Sequence, residues 1–263
     1  MISIVKTPSM PQFFDLIHET KSNMLLCAPF IKKEIVDIIL SCKDNNATIK
    51  VITSANIANF MNGSLDIEAI KTLISAGVKV YNFQNLHAKI YLFDNKKALI
   101  TSANLTSNAM YKNFEYGLLL NENEYRIIEE ICNDVSFMMK SELCGFFTSE
   151  SIAEIERLVK IYSKTSLTKV DINGDNIIIL VKENELSRQL KGWKKDVFDC
   201  INSFKSQDFA LHDIYKYEKI LKLKHPSNNR VHDKIRQTLQ YLRDLGFVKF
   251  VEPGKYKKLW VSY

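Results

Sequence analysis

Within residues 85–117, NLHAKIYLFDNKKALITSANLTSNAMYKNFEYG, a histidine and a lysine stand two apart as His87 and Lys89, and Asp94 follows. Ser102 and Asn104 come next, in Thr101-Ser-Ala-Asn104, and Glu115 closes the set. These side chains suit the chemistry of a phosphodiester. An imidazole can attack phosphorus or donate a proton near neutral pH. An ammonium brings fixed positive charge, while hydroxyl and amide groups bring neutral donors. Lys89, Ser102 and Asn104 could together hold the non-bridging oxygens. The set has no carboxylate or thiolate cluster with metal-ligand spacing, so neither a metal nor another cofactor is expected.

The local pattern supplies elements to carry these groups. His87–Phe93 reads as a strand on which positions 87 and 89 share a face. Asp94-Asn-Lys-Lys97 reads as a tight turn, and Ala98–Thr101 as the returning strand that brings Ser102 and Asn104 back toward His87. Further strands are expected at Met24–Pro29, Ile49–Thr53, Val78–Phe83 and Phe114–Leu120. Helices are expected over Lys32–Ser41, Leu65–Ala76 (stopped by Gly77), Glu124–Lys140 and Ser151–Ser163. Strands interleaved with helices indicate an α/β, or α+β layered, domain. The pentapeptide ITSAN occurs at 52–56 and again at 100–104, but the flanks differ too much for a duplicated domain.

The set His87, Lys89, Asp94, Ser102, Asn104 and Glu115 resembles the signature of the phospholipase D superfamily: H-x-K-x4-D, then G-S/T-x-N, then a downstream acidic residue. Thr101 stands where that family often has Gly. The resemblance implies a metal-free reaction in which one His attacks phosphorus and a second, from a paired motif, protonates the leaving oxygen. It also implies that Glu115 orients His87 and that Asp94 fixes the turn. None of His18, His212, His225 and His232 begins a second H-x-K-x4-D run, so the resemblance implies a homodimer through this domain.

Charge separates the two ends of the chain. Residues 190–263 hold 16 Lys and Arg against 8 Asp and Glu, whereas residues 1–189 hold 20 against 22. The whole excess of the +6 chain therefore lies in its last part, the pattern of a polyanion-binding appendage. That part reads as helices over Trp193–Phe204, Leu211–Leu223 and Asn228–Leu245, then a hairpin of Phe247–Val251 and Tyr256–Val261 turning at Glu252-Pro-Gly254. Three helices and a basic hairpin make the winged-helix pattern. On the third helix Val231, Ile235, Thr238, Leu239 and Leu242 form the core stripe. Asn229, Asp233, Arg236, Gln237 and Gln240 lie opposite, with types that can bond base edges. The wing carries Lys255, Tyr256, Lys257 and Lys258, suited to phosphates. Asn228, Asn229, Arg230, Asp233, Arg236, Gln237, Lys255, Tyr256 and Lys257 are thus the candidate contacts to double-stranded DNA.

The run HPSNNRVHDKIRQTLQYLRDLGFVKFVEPGKY, residues 225–256, resembles the C-terminal winged-helix domain of DpnI-type restriction enzymes, which act on adenine-methylated DNA. The expected organisation is a phospholipase D-like domain over 1–164, a linker or bridging element over 165–189, and a winged helix over 190–263. A site-specific endonuclease of restriction type is the leading expectation, and the resemblance implies that its winged helix reads N6-methyladenine. The rivals are a lipid-active phosphodiesterase and a DNA-binding regulator with an inert catalytic part. Trp193, Tyr215, Tyr217, Tyr256 and Trp260 are the aromatic side chains on hand to wall a methyl pocket, although most of them are expected to pack the module's own small core.

Composition narrows the setting. With 46% apolar and 25% charged residues the chain is of globular type. No apolar run approaches the ~20 residues of a membrane helix, and MISIVKTPSM lacks the pattern of a secretory signal. Five scattered cysteines (27, 42, 132, 144 and 200), without a C-x-x-C pair, argue against disulfides or a zinc finger. A cytoplasmic protein without a membrane partner is the expectation.

Overall fold

The computed structural model describes residues 2–162, 169–171, 177–181 and 185–262. The chain divides into two compact units. One holds residues 1–55 and 62–152; the other holds 56–61 and 153–263.

The first unit is built on an eight-stranded sheet. Its strands are β1 (Ser3–Lys6), β2 (Asn23–Cys27), β3 (Thr48–Thr53), β4 (Lys79–Phe83), β5 (Ile90–Phe93), β6 (Lys97–Thr101), β7 (Tyr116–Leu120) and β8 (Cys144–Phe146). They lie in the order β1-β7-β6-β5-β2-β3-β4-β8. β2, β3 and β4 pair in parallel, while β5, β6, β7 and β1 form an antiparallel run beside them. The helices are α1 (Met10–Glu19), α2 (Lys33–Cys42), α3 (Ile57–Met61), α4 (Ile67–Ser75), α5 (Ser107–Tyr111), α6 (Tyr125–Lys140) and α7 (Ser149–Tyr162). Of these, α3 clusters with the second unit, and the division between units falls inside α7. Gly77 ends α4 at φ +77°, a conformation costly for any residue with a Cβ.

Period decides what each face buries. Along β5 the side chains alternate. Tyr91 and Phe93 meet Phe13 of α1 at ring-centroid distances of 5.2 and 6.1 Å. Ile90 and Leu92 point the other way, toward α6, whose Ile128, Ile131, Cys132 and Val135 recur at helical spacing. The site hairpin is therefore clamped from both sides.

The second unit contains a three-stranded sheet of β9 (Lys169–Asp171), β10 (Ile177–Val181) and β14 (Trp260–Ser262), in the order β14-β10-β9. The 165–189 segment read as a linker thus contributes two of its strands. The Asn173-Gly-Asp175 run in this segment, which reads as a turn from its residue types, lies outside the described residues. A second sheet, β11-β13-β12, joins β11 (Asp208–Ala210), β12 (Val248–Glu252) and β13 (Lys255–Lys258). Four of the unit's helices are α8 (Glu185–Gln189), α9 (Trp193–Asn202), α10 (Leu211–Tyr215) and α11 (Glu218–Lys224). Another, α12 (Val231–Asp244), buries the expected stripe of Val231, Ile235, Thr238, Leu239 and Leu242.

Two expectations here give way. The single helix over Leu211–Leu223 breaks at Lys216–Tyr217, although neither residue is a helix breaker. A tertiary contact sets the break: the Tyr217 hydroxyl meets Ser203 Oγ at 2.8 Å, and its ring lies against Phe204. The hairpin's second strand also divides. β13 stays with the wing, while Trp260 leaves to pair with β10 and stacks on Phe198 at 4.3 Å.

Candidate active site and helix face

All of the polar set but Asp94 lies toward one edge of the first sheet. β5 begins only at Ile90, so His87 and Lys89 precede the strand rather than lie on it. The cause is the partner: Thr101 N still donates to Lys89 O at 3.1 Å, but the chain bends at Ser102 and the ladder stops. Strand alternation therefore does not align the two side chains. Instead, Leu86 is buried in the core beside Cys27, Ile52 and Val135, which anchors the chain immediately before His87. The His87 ring is exposed and makes no hydrogen bond to any described residue. Lys89 is half-buried; its Nζ donates to His87 O at 2.9 Å. Burial lowers the Lys89 pKa, and the neighbouring Glu115 charge opposes that shift.

Around them the loops are tied down. Glu115 accepts from Ser102 Oγ and, at 3.2 Å, from Asn113 Nδ2. It is thus engaged by Ser102 and Asn113 and not by His87 within one chain. Its backbone is held by Thr7, whose Oγ1 accepts Glu115 N at 2.7 Å and whose N donates to Glu115 O at 3.2 Å. Asn104 Oδ1 accepts from Phe30 N at 3.3 Å, which leaves its amide NH2 as the donor on offer. Tyr91 OH donates to Ala103 O at 2.7 Å from the core. Thr101, the residue that departs from the family pattern, bonds the backbone two residues on, Ala103 N to Oγ1 at 3.1 Å, and so closes the bend itself.

Gly117 was not anticipated as part of the site. A Cβ there would meet Ile100 O at 2.7 Å and Thr101 Cβ at 2.8 Å, closer than such atoms approach. Only glycine lets β6 and β7 run this close where Ser102 meets Glu115. Thr7 and Asn113 were equally unmarked, because their roles are set by backbone neighbours far along the chain.

Asp94 does not join the others. It sits at the far end of β5, in a turn where it and Asn95 take φ +53° and +55°. Its Oδ1 accepts Ser22 N and Ser22 Oγ at 2.7 Å and Asn23 N at 2.9 Å, while Oδ2 accepts Lys21 N at 2.8 Å. Burial works against its ionisation, but these donors outweigh it and take the carboxyl down to about 2. Asp94 is a clamp between the hairpin turn and the start of β2.

In the second unit, Asp233, Arg236, Gln237 and Gln240 lie exposed along α12. Arg236 donates to Asp233 Oδ1 and, at 2.7 Å, to Tyr215 OH. Tyr215 stacks on His232 with centroids 3.8 Å apart and planes 8° apart. His232 and Lys234 also stand two apart, yet on a helix such positions diverge. Asn228 Oδ1 accepts Arg230 N at 2.7 Å and Asn229 Oδ1 accepts Lys222 Nζ at 3.0 Å, which shapes the loop before α12. Lys255 is exposed and paired with Glu252 at 2.5 Å, and Lys257 is half-buried.

Two wing residues are corrected. Tyr256 is only 6% exposed and packs its ring against Phe250 and Phe209, 4.7 and 5.4 Å away, so it belongs to the module's core. Lys258 is 7% exposed, with Nζ donating to Phe204 O at 2.7 Å, and burial lowers its pKa. The alternation along β13 turns both inward.

Comparison with known proteins fits this arrangement. Residues 13–136 match the family described as cardiolipin synthase, PLD-like domain, and residues 189–258 match the Dam-replacing HTH domain. The chain joins a phospholipase D-like domain to a DpnI-type winged helix. Cardiolipin synthase A of Klebsiella pneumoniae is 24% identical over 132 residues, covering 46% of this chain. That of Salmonella arizonae is 22% identical over 135 residues, covering 47%. The chain spans only 27% of either relative. Similar solved structures include the phospholipase D family member Nuc from Salmonella typhimurium, with 17% identity and a TM-score of 0.49 over 57% of this chain and 99% of Nuc. NucT from Helicobacter pylori is 16% identical, with a TM-score of 0.42 over 56% and 99%.

Proposed function

We propose that this chain is a site-specific endonuclease of restriction type, acting on double-stranded DNA in the cytoplasm. The carrying observation is the union, in one chain, of the His87–Lys89–Asn104 set with a winged helix whose α12 presents Arg236 and Gln237 to solvent. Phosphodiester chemistry on one unit and base-edge donors on the other describe a nuclease better than a lipid enzyme.

In the proposed reaction a His87 nitrogen attacks phosphorus and the leaving nucleotide oxygen departs, giving a phosphohistidine. The His87 of a second copy protonates that oxygen, then takes a proton from water as water attacks phosphorus and frees His87. Lys89 and the Asn104 amide offset charge on the non-bridging oxygens, as preorganised donors do. Each chain offers one His–Lys set of this kind, so two copies share one site.

For N6-methyladenine the polar face has one usable aromatic wall. Trp193 stacks on His225, Trp260 on Phe198, Tyr217 is held by Ser203, and Tyr256 is in the core. Tyr215 lies beside Arg236 on the exposed face. A methyl against it is worth only about 1 kcal/mol, so methyl preference of the winged helix is modest.

The test is incubation of the purified chain with methylated and unmethylated supercoiled plasmid in excess EDTA. Cleavage in EDTA, favouring methylated plasmid, is expected. Full dependence on magnesium would overturn the mechanism. Turnover of phosphatidyl substrates without DNA cutting would assign a lipid enzyme, and DNA binding without hydrolysis a regulator.

A further inference from the structure

The exposed face of α12 carries an arginine that is already held. His232 and Arg236 stand four residues apart on this helix and so lie side by side. Tyr215, the last residue of α10, spans both. Its ring covers the His232 imidazole, with centroids 3.8 Å and planes 8° apart, and its hydroxyl accepts from Arg236 Nη1 at 2.7 Å. His232 Nε2 bonds Glu218 Oε2 at 3.0 Å, the nitrogen donating because a carboxylate only accepts. Asp233 Oδ1 takes the other terminal nitrogen of Arg236. Tyr215 is itself fixed through its neighbours: Ile214 is fully buried, and Tyr217 is tied to Ser203. These bonds seal no interior group, since the side chains of Arg236, Asp233 and His232 are 50%, 57% and 44% exposed. A surface arginine ordinarily keeps its rotamers, and ordering it on binding costs affinity.

We infer that Tyr215 is a positioning residue for base reading: it aims Arg236 at one guanine of the target, while His232, fixed by Glu218, holds the Tyr215 ring. The inference rests on the proposal above that α12 reads base edges, and it adds which base is read through Arg236 and what makes that reading selective. The Tyr215 and Asp233 bonds each take one N–H of a terminal nitrogen, so each of these nitrogens keeps another. A pair of donors on the two terminal nitrogens is the group that meets O6 and N7 of guanine. Held from α10 and from its own helix, the guanidinium cannot swing to follow a displaced acceptor on a wrong base. The ring and the hydroxyl of Tyr215 then have separate roles. One ring face lies on His232, so an adenine methyl would use the other, whereas the hydroxyl serves Arg236.

The test uses the full chain carrying His87→Ala, so that DNA stays intact, as the parent. It selects at fixed salt from duplexes with a randomised centre, one pool made with adenine and another with N6-methyladenine. Guanines in the selected sequence are then replaced in turn by 7-deazaguanine, which lacks N7. At one position this should weaken binding by the parent roughly tenfold, and Arg236→Ala should erase the effect. Tyr215→Phe keeps the ring and removes the hydroxyl. It should cut the preference for that guanine at least about threefold, while affinity for an unrelated duplex changes less than about twofold. The ratio of binding to the two pools should stay as in the parent. His232→Ala keeps the hydroxyl but removes its support, and should lower the same preference by less. A Tyr215→Phe chain with the full guanine preference overturns the inference. So does one that binds all duplexes more weakly by the same factor, which is what a merely structural tyrosine would give. A guanine preference that survives Arg236→Ala also overturns it, because another residue then reads that base. In these three outcomes the site-specific reading stands. A parent chain that selects no sequence from either pool overturns that reading and the inference together.

Discussion

Replacing Asp94 separates a structural role from a chemical one. The carboxylate takes four donors from residues 21–23 and holds the β5–β6 turn against the start of β2. Asn keeps an oxygen for Ser22 and Asn23 but turns an NH2 group toward the Lys21 N–H, so donor faces donor. Bonds to a charged acceptor contribute about 1.5–3 kcal/mol each when buried, and much less in water. With Asp94 partly exposed, about 2 kcal/mol is the expected loss for Asp94→Asn. That amounts to roughly 4–8 °C in the melting temperature of a unit this size. Asp94→Ala should cost about 1 kcal/mol more, because φ is +53° and Asn tolerates that region better than Ala. The pH dependence follows from the depressed pKa. A carboxyl with a folded-state pKa of about 2 stabilises fully above its unfolded value near ~3.9 and loses that contribution as pH falls through the lower one. The gap between wild type and Asp94→Asn should thus be full above roughly pH 5 and shrink below pH ~4. Calorimetry across pH 2–7, as a range of roughly five units, with cleavage rates at 20 °C below the melting point, measures both. A variant of unchanged stability but greatly reduced cleavage would refute the clamp and return Asp94 to the chemistry.

Three further outcomes are expected. His87→Ala should abolish cleavage while DNA affinity at fixed salt changes less than about threefold, since binding is assigned to the other unit; substantial residual cleavage would exclude His87 as nucleophile. Gly117→Ala must push β6 from β7, at about 1–3 kcal/mol by overpacking, and should slow cleavage by disturbing the Ser102–Glu115 contact; normal stability would show that the strands have room. Lys257→Ala should weaken DNA binding and flatten its salt dependence by about one ion, whereas Lys258→Met should leave the salt slope alone and act only on stability, as its buried ammonium contacts Phe204 O.

What the sequence made legible was local. The hairpin at Asp94, the helix over 124–140, the α12 stripe and the stop at Gly77 all follow from spacing and turn chemistry within a few residues. The losses share one origin, the influence of distant chain. Nothing near 211–223 announces a break, because Ser203 and Phe204 impose it. The alternation of β13 was readable, yet Tyr256 and Lys258 were assigned outward on the strength of their types. Burial of Lys258 needs an acceptor, and Phe204 O lies just past the end of α9, in a stretch no periodicity connects to it. At the site, residue types pointed to the chemistry, while the tethers through Thr7 and Asn113 and the close approach at Gly117 depend on β7 lying between β1 and β6. That pairing is a matter of topology, which no local pattern encodes.

The two ITSAN copies show how far the same five residues can diverge. β2 runs parallel to β3 and antiparallel to β5, which is antiparallel to β6, so β3 and β6 point the same way. Both copies therefore end on the same sheet edge, where the chain leaves parallel strands and where ligands gather in such sheets. At the first copy the edge is sealed. Ser54 Oγ donates to Gln84 O at 2.8 Å, and the buried Asn82 side chain takes both backbone groups of Ala55, at 2.9 and 3.0 Å. At the second copy no such asparagine stands on the neighbouring strands. Ser102 meets Glu115 instead, and Asn104, whose Oδ1 accepts Phe30 N, keeps its amide donor. A motif supplies groups able to do chemistry, but the adjacent strand decides whether they are spent on the fold. β4 spends them with Asn82, and the glycine of β7 leaves them at the surface.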